Sequence, residues 1–128
     1  LSKQNKGNTM LIAKFLMVFI ALMQIYFLIL EIFLWDKPLG MKAFGNNLEK
    51  AKVTKVLAQN QGLYNGFLAA GLLWAVVEKL SFSIHIASFF LSCIVVAGIY
   101  GAMTASKKIF FIQALPAIIT LGVLYLFN

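Results

Sequence analysis

The chain has 128 residues, 62% of them hydrophobic and only 12% charged, with a mean hydropathy of +0.90. Soluble domains carry about 25% charged residues to keep a folded surface wet, so this composition excludes an ordinary soluble globule and points to lipid as the solvent. The net charge of +7 rests on lysines, with no arginine; lysines placed in the gaps between apolar runs flank membrane spans and argue against nucleic acid, for which arginine is the preferred fork.

Residues 1–9 are polar and are expected to be a flexible tail, either native or a vector-derived extension ahead of Met10. Residues 10–128 are expected to form one transmembrane domain. Its first span runs from about Leu11 to Trp35, with Lys14, Gln24 and Glu31 as its polar members. A secretory signal has an apolar core of about 7–15 residues and a small-x-small cleavage site. This run is longer and no such site follows, so it reads as a span.

Asp36-Lys37-Pro38-Leu39-Gly40 then breaks the helix, as proline and glycine do. The loop that follows carries Lys37, Lys42, Lys50, Lys52 and Lys55, with a short interfacial helix expected over Leu48 to Lys55. The second span covers about Val56 to Val77. A tight turn at Glu78-Lys79-Leu80-Ser81 leads to the third, about Phe82 to Met103. After a connector from Thr104 to Lys108, the fourth runs from about Ile109 to Phe127.

Each run has roughly the 20 residues that cross about 30 Å of hydrocarbon as a helix. None alternates in polarity as a barrel strand does. Short connections make neighbours antiparallel, so the expected fold is all-α, an integral membrane four-helix up-down-up-down bundle. Four crossings put both termini on one side with Lys3, Lys6 and Lys79, plus Lys14 just within the span, against seven lysines on the other: the five of the loop, Lys107 and Lys108. Positive charge stays inside. Both termini are therefore expected outside, with loops 36–55 and 104–108 cytoplasmic.

That topology gathers polar residues in one leaflet. Glu31 closes span one, Asn60, Gln61, Tyr64 and Asn65 open span two, Tyr100 ends span three and Gln113 begins span four. At 100° per residue the four of span two share a side, and polar groups in a bilayer turn inward to find partners. These seven are the candidate ligand-binding residues. The plainer reading of the amides and phenols is hydrogen-bonded glue between helices, and that of Glu31 is a headgroup-level acid paired with Lys37 or another loop lysine. An acid inside a span nonetheless marks a functional site by default.

Gly62-x-x-x-Gly66-x-x-x-Ala70 and Ala97-x-x-x-Gly101-x-x-x-Ala105 are small-residue series that let helices approach closely, within the bundle or in a homodimer. Pro116 frees the carbonyl of Ile112 and should kink span four. His85, Ser88 and Ser92 form a stripe on span three that reads as packing, since no acid is placed to orient the histidine. A single cysteine, Cys93, allows no intrachain disulfide, and one histidine with four acids makes a zinc site improbable. No cofactor and no catalytic residue are expected.

Leu30-Glu31-Ile32-Phe33-Leu34-Trp35, Gln59-Asn60-Gln61-Gly62-Leu63-Tyr64-Asn65-Gly66-Phe67-Leu68-Ala69-Ala70-Gly71, Val96-Ala97-Gly98-Ile99-Tyr100-Gly101 and Gln113-Ala114-Leu115-Pro116-Ala117 resemble the bacterial membrane family catalogued as domain of unknown function 1304. The resemblance covers roughly residues 10–127. It implies a four-span protein of the bacterial plasma membrane and supplies no activity. Members often show a Glu-His pair midway in span one, where this chain has Met23-Gln24.

Four functional classes follow. The first is binding of a membrane lipid or small amphipathic molecule in a cytoplasmic polar pocket. The second is a proton-coupled small transporter using Glu31, by analogy with four-span multidrug exporters. The third is a structural or partner-binding membrane subunit. An enzyme using Glu31 with Tyr64 or Tyr100 ranks last, because no nucleophile-base pair or metal spacing supports it.

Overall fold

The computed structural model describes residues 2–126 and is all-α. Leu1 of the expected tail and Phe127 at the end of the expected fourth span lie outside the described residues. The helices are α1 (Lys3–Ile32), α2 (Pro38–Phe44), α3 (Leu48–Val77), α4 (Leu80–Thr104) and α5 (Leu115–Leu126), with a π-helical segment (Phe110–Ala114) directly before α5. They form two compact units. Among the described residues, one is made of 2–21 together with 70–126; the other is Leu22–Ala69.

Helix α1 starts at Lys3, not at Leu11, so the polar stretch over residues 3–9 is helical where a flexible tail was expected. The reason is a cap. The Ser2 hydroxyl accepts the Asn5 N–H at 3.2 Å, and Lys6 N–H reaches the Ser2 carbonyl at 3.0 Å, which satisfies donors that otherwise fray a first turn. A second cap sets α3. The Asn47 side-chain oxygen accepts the Lys50 N–H at 2.8 Å, so Leu48 to Lys55 is the first part of a continuous 30-residue helix, not a separate interfacial one.

Two helices, α1 and α4, are long and apolar enough to cross a membrane. Four such spans were expected. Helix α3 has the length but Gln59, Asn60, Gln61 and Asn65 dilute its apolar run, and the last apolar stretch, Phe110–Leu126, is shorter and divided.

In the Leu22–Ala69 unit, α1 and α3 form a hairpin closed by α2. Pro38 opens α2 at a position where its missing N–H costs nothing. Gly45 ends α2 in the left-handed conformation (φ 65°), its N–H and that of Asn46 both turned to the Met41 carbonyl. The hairpin mouth is tied by Trp35, whose indole N–H donates to Thr54 Oγ1 at 3.0 Å and whose ring lies 4.9 Å from that of Phe44. Beside it, Lys55 Nζ donates to Asp36 Oδ2 at 3.0 Å.

The Lys55 hydrogen bond holds the Asp36 carboxyl below its ordinary value. A depressed folded-state value gives stability that is present above the unfolded value and is lost as pH falls through the folded one. Melting the native chain and Asp36→Asn in detergent should therefore show a difference at neutral pH that closes as pH drops through the carboxylate range. Parallel curves would remove this pair from the fold's energetics.

In the other unit, α4 packs on the π segment and α5. A Cβ at Gly98 would lie 2.7 Å from the Ala114 Cβ, and one at Gly101 would lie 2.9 Å from Ile109 Cγ2. Ser83 donates to the Ala75 carbonyl at 2.6 Å across the α3–α4 turn, and Ser88 Oγ meets Tyr125 Oη at 2.7 Å. The close-approach line on α4 is thus Gly98 and Gly101, at the end of a buried face that includes Ala87, Leu91 and Ile94. Ala97 and Ala105 are exposed, as is Ala70 on α3, so these three lie off the buried faces of their helices within one chain. A strict four-residue spacing drifts off the contact face of a helix with 3.6 residues per turn, and the contact line steps by three at this point.

Pro116 does not simply kink its helix. The Leu115 N–H donates to the Phe110 carbonyl five residues back, so one wide π turn precedes the proline. Because Pro116 has no N–H, the α register cannot close on Ile112, and widening the turn by one residue absorbs the mismatch.

Candidate functional site

The site is built by the absence of side chains. On α3, Ala58, Gly62, Asn65 and Ala69 form the buried stripe, stepping by three and four as a helix face must. A Cβ on Gly62 would sit 2.8 Å from Ile32 Cγ1 and 3.1 Å from the Glu31 Cβ, and one on Gly66 would sit 2.7 Å from Leu28 Cδ1. Glycine at these two positions lets α3 approach the last turns of α1. That approach carries the Asn65 amide to Glu31.

Asn65 Nδ2 donates to Glu31 Oε1 at 2.6 Å. Both residues are buried, Glu31 with 1% of its surface exposed. Glu31 Oε2 is also buried and has no hydrogen-bond partner among the described residues. The ion pair of Glu31's plainer reading, with Lys37 or another loop lysine, is not formed among the described residues. Lys55 takes Asp36 instead, the one ion pair among the described residues. Glu31 is therefore a carboxyl group with one oxygen held by an amide and the other an unused acceptor.

The remaining candidates are placed differently. Tyr64 is 63% exposed with its ring edge-on to Phe67, and Tyr100 is 68% exposed. Gln61 is exposed, and Asn60 turns its amide back to the Val56 carbonyl of its own helix at 3.0 Å. Gln113 is half-buried in the π segment. Tyr100 and Gln113 belong to the other unit. Of the seven, the structure brings Glu31 and Asn65 together. The cause is register: α3 turns its glycines and alanines to α1, Asn65 falls within that stripe, and Asn60, Gln61 and Tyr64 fall beside it.

Gln24 is the residue that sequence reading undervalued. It is 1% exposed, lies two turns before Glu31 on the same face of α1, and its Oε1 has no partner among the described residues. Its seven-residue spacing from Glu31 was the available signal. Among the described residues, no group of three histidine, cysteine or acidic side chains is close enough to hold a metal ion. Grooves open elsewhere: one runs along α4 past Phe89, Cys93 and Tyr100, and another lies between the start of α1 and the start of α4.

The sequence profile of the family described as "Protein of unknown function (DUF1304)" matches residues 18–125. The chain belongs to this family. The matched stretch holds Gln24, Glu31, Gly62 and Asn65, so the whole amide–carboxyl site lies inside the DUF1304 domain. The chain is 32% identical over 108 residues to "Uncharacterized protein YpaA" of Lactococcus lactis subsp. lactis (strain IL1403), covering 83% of this chain and 90% of that relative. No solved structure matches the chain.

Proposed function

We propose that this DUF1304 protein is a four-span integral protein of the bacterial plasma membrane that binds the polar head of a lipid or small amphipathic molecule at Glu31 and Asn65. Lipid as solvent is supported by the apolar faces: the most apolar stretches of α1 and α4 are only 33% and 28% buried. A core helix of a soluble protein would be mostly covered. Phe15, Phe19, Phe82 and Phe89 are among the large side chains left outward, as a bilayer allows and water does not. Lysine distribution supports termini outside and loops 36–55 and 104–108 in the cytoplasm.

The observation that carries the binding role is the free acceptor, Glu31 Oε2, beside the Asn65 amide. Buried acceptors without donors are costly in hydrocarbon, and a head bearing an N–H or O–H donor would fill this one. The ligand class is therefore an amphiphile with an ammonium or hydroxyl head, not a carboxylate. Glu31 stands one residue before the end of α1, which suits a head held at the membrane surface better than a carrier group serving both faces.

Dodecylamine, dodecanol and dodecanoate differ only in the head and test this directly. Native mass spectrometry of the purified chain should show the amine or alcohol retained in preference to dodecanoate. Glu31→Leu should abolish that preference while Tyr64→Phe keeps it. Equal retention of all three heads by the native chain would refute the assignment.

A further inference from the structure

A second polar feature stands at the other end of α1, before the residues that the family profile matches. Lys3, Lys6, Gly7, Met10, Leu11 and Lys14 recur at three- and four-residue steps and form one wall of a groove of about 660 Å³. Leu80 and Ile84, in the first turns of α4, form the other. Three lysines thus line one concave surface with four apolar residues. That is the pattern of a headgroup bound above its own acyl chains.

None of the three lysines has an acidic partner, since the one ion pair among the described residues is Lys55–Asp36. Glu78, the acid closest in sequence to Leu80, accepts the Trp74 indole N–H at 3.0 Å and forms no ion pair. Lys14 is the informative member. It is half-buried and is the fourth residue of the apolar run that begins at Leu11 in the sequence. A lysine at that depth extends its stem along apolar surface towards the interface and calls for an anionic partner.

We infer that this groove is an anionic-phospholipid site, with the phosphate held by Lys3, Lys6 and Lys14 and the chains laid against Met10, Leu11, Leu80 and Ile84. The charge selects the head, and the apolar floor selects a lipid over a free anion. The site is separate in sequence from the Glu31–Asn65 pair, seventeen residues beyond Lys14, and takes a head of opposite chemistry.

The full chain in detergent is offered phosphatidylglycerol and phosphatidylcholine of identical chains, and bound lipid is read by native mass spectrometry. Each lysine near a headgroup is worth about fivefold in anionic-lipid binding. The native chain should prefer phosphatidylglycerol, Lys6→Gln with Lys14→Gln should lose about fivefold of that preference per lysine, and Lys6→Arg with Lys14→Arg should keep it. Lys50→Gln with Lys52→Gln, which removes equal charge from the loop side, should leave it unchanged. The site is refuted by no preference in the native chain, by an equal loss in the loop variant, or by displacement of the lipid with excess inorganic phosphate. An unaltered preference in the glutamine variant refutes it as well.

Discussion

Gly40→Ala should destabilise the chain by about 3 kcal/mol, the upper part of the range for overpacked sites. A Cβ at Gly40 would fall on the Leu34 carbonyl oxygen, 2.6 Å from the Leu34 carbonyl carbon and 3.1 Å from the Trp35 Cα. These are backbone atoms, and no rotamer change can make room. Helix α2 would have to lift off the turn at Leu34 and Trp35 that follows α1, taking Phe44 from the Trp35 ring and loosening the indole bond to Thr54. Against this stands the helix-propensity gain of replacing glycine by alanine, about 0.5–1 kcal/mol. The clash wins.

Gly7 and Gly122 supply the control. Both are helical, and a Cβ at either meets nothing within 4 Å. Gly7→Ala and Gly122→Ala should therefore stabilise by about 0.5–1 kcal/mol, opposite in sign to Gly40→Ala. Unfolding of all three in mixed micelles by titrated dodecyl sulfate measures the differences on one scale. If Gly40→Ala unfolds at the same fraction of dodecyl sulfate as Gly7→Ala, the docking of α2 described above is not how the loop is held.

The contrast between these glycines shows what a single sequence discloses. Helices were legible because apolar runs and the Asp36-Lys37-Pro38 break are local signals, read residue by residue. The cap at Asn47 was equally local, yet Leu48 to Lys55 read as a short interfacial helix, and a continuous α3 formed instead. Which face of α3 turns inward was not legible. Polarity argued that Asn60, Gln61 and Tyr64 would point in with Asn65, whereas the contact is governed by how closely two backbones can approach. Gly62, Gly66 and the alanines win that competition, because each small residue brings many atoms of α1 within dispersion range, and an exposed amide such as that of Asn60 can satisfy itself on its own helix. Asn65 was singled out as one of a polar cluster, not as the partner of Glu31. It is buried because it belongs to the small-residue stripe, and Glu31 is its consequence. The π turn before Pro116 shows the same limit: proline announces a disturbance, and packing decides its form.

The Glu31–Asn65 contact should give the second large effect, as a coupling. Asn65→Leu leaves a buried carboxyl with neither oxygen bonded to protein, and the loss should be about 2 kcal/mol, between the usual cost of orphaning a buried polar group and the smaller values typical of interhelical bonds in membranes. Glu31→Leu orphans only a neutral amide and should cost less. The double variant should recover most of the loss, giving a coupling of about 1–2 kcal/mol in a double-mutant cycle. Additive losses would mean that the 2.6 Å contact contributes nothing. Repeating the cycle with dodecylamine present separates the pair's structural role from its binding role. A ligand that occupies the folded protein alone adds stability as its concentration rises above its dissociation constant. The native chain should gain, and Glu31→Leu should not, because the acceptor is gone. Asn65→Leu is the discriminating case: if the amide merely positions Glu31, the variant still gains, at higher dodecylamine concentration, and if the amide itself contacts the head, the gain disappears as it does without Glu31.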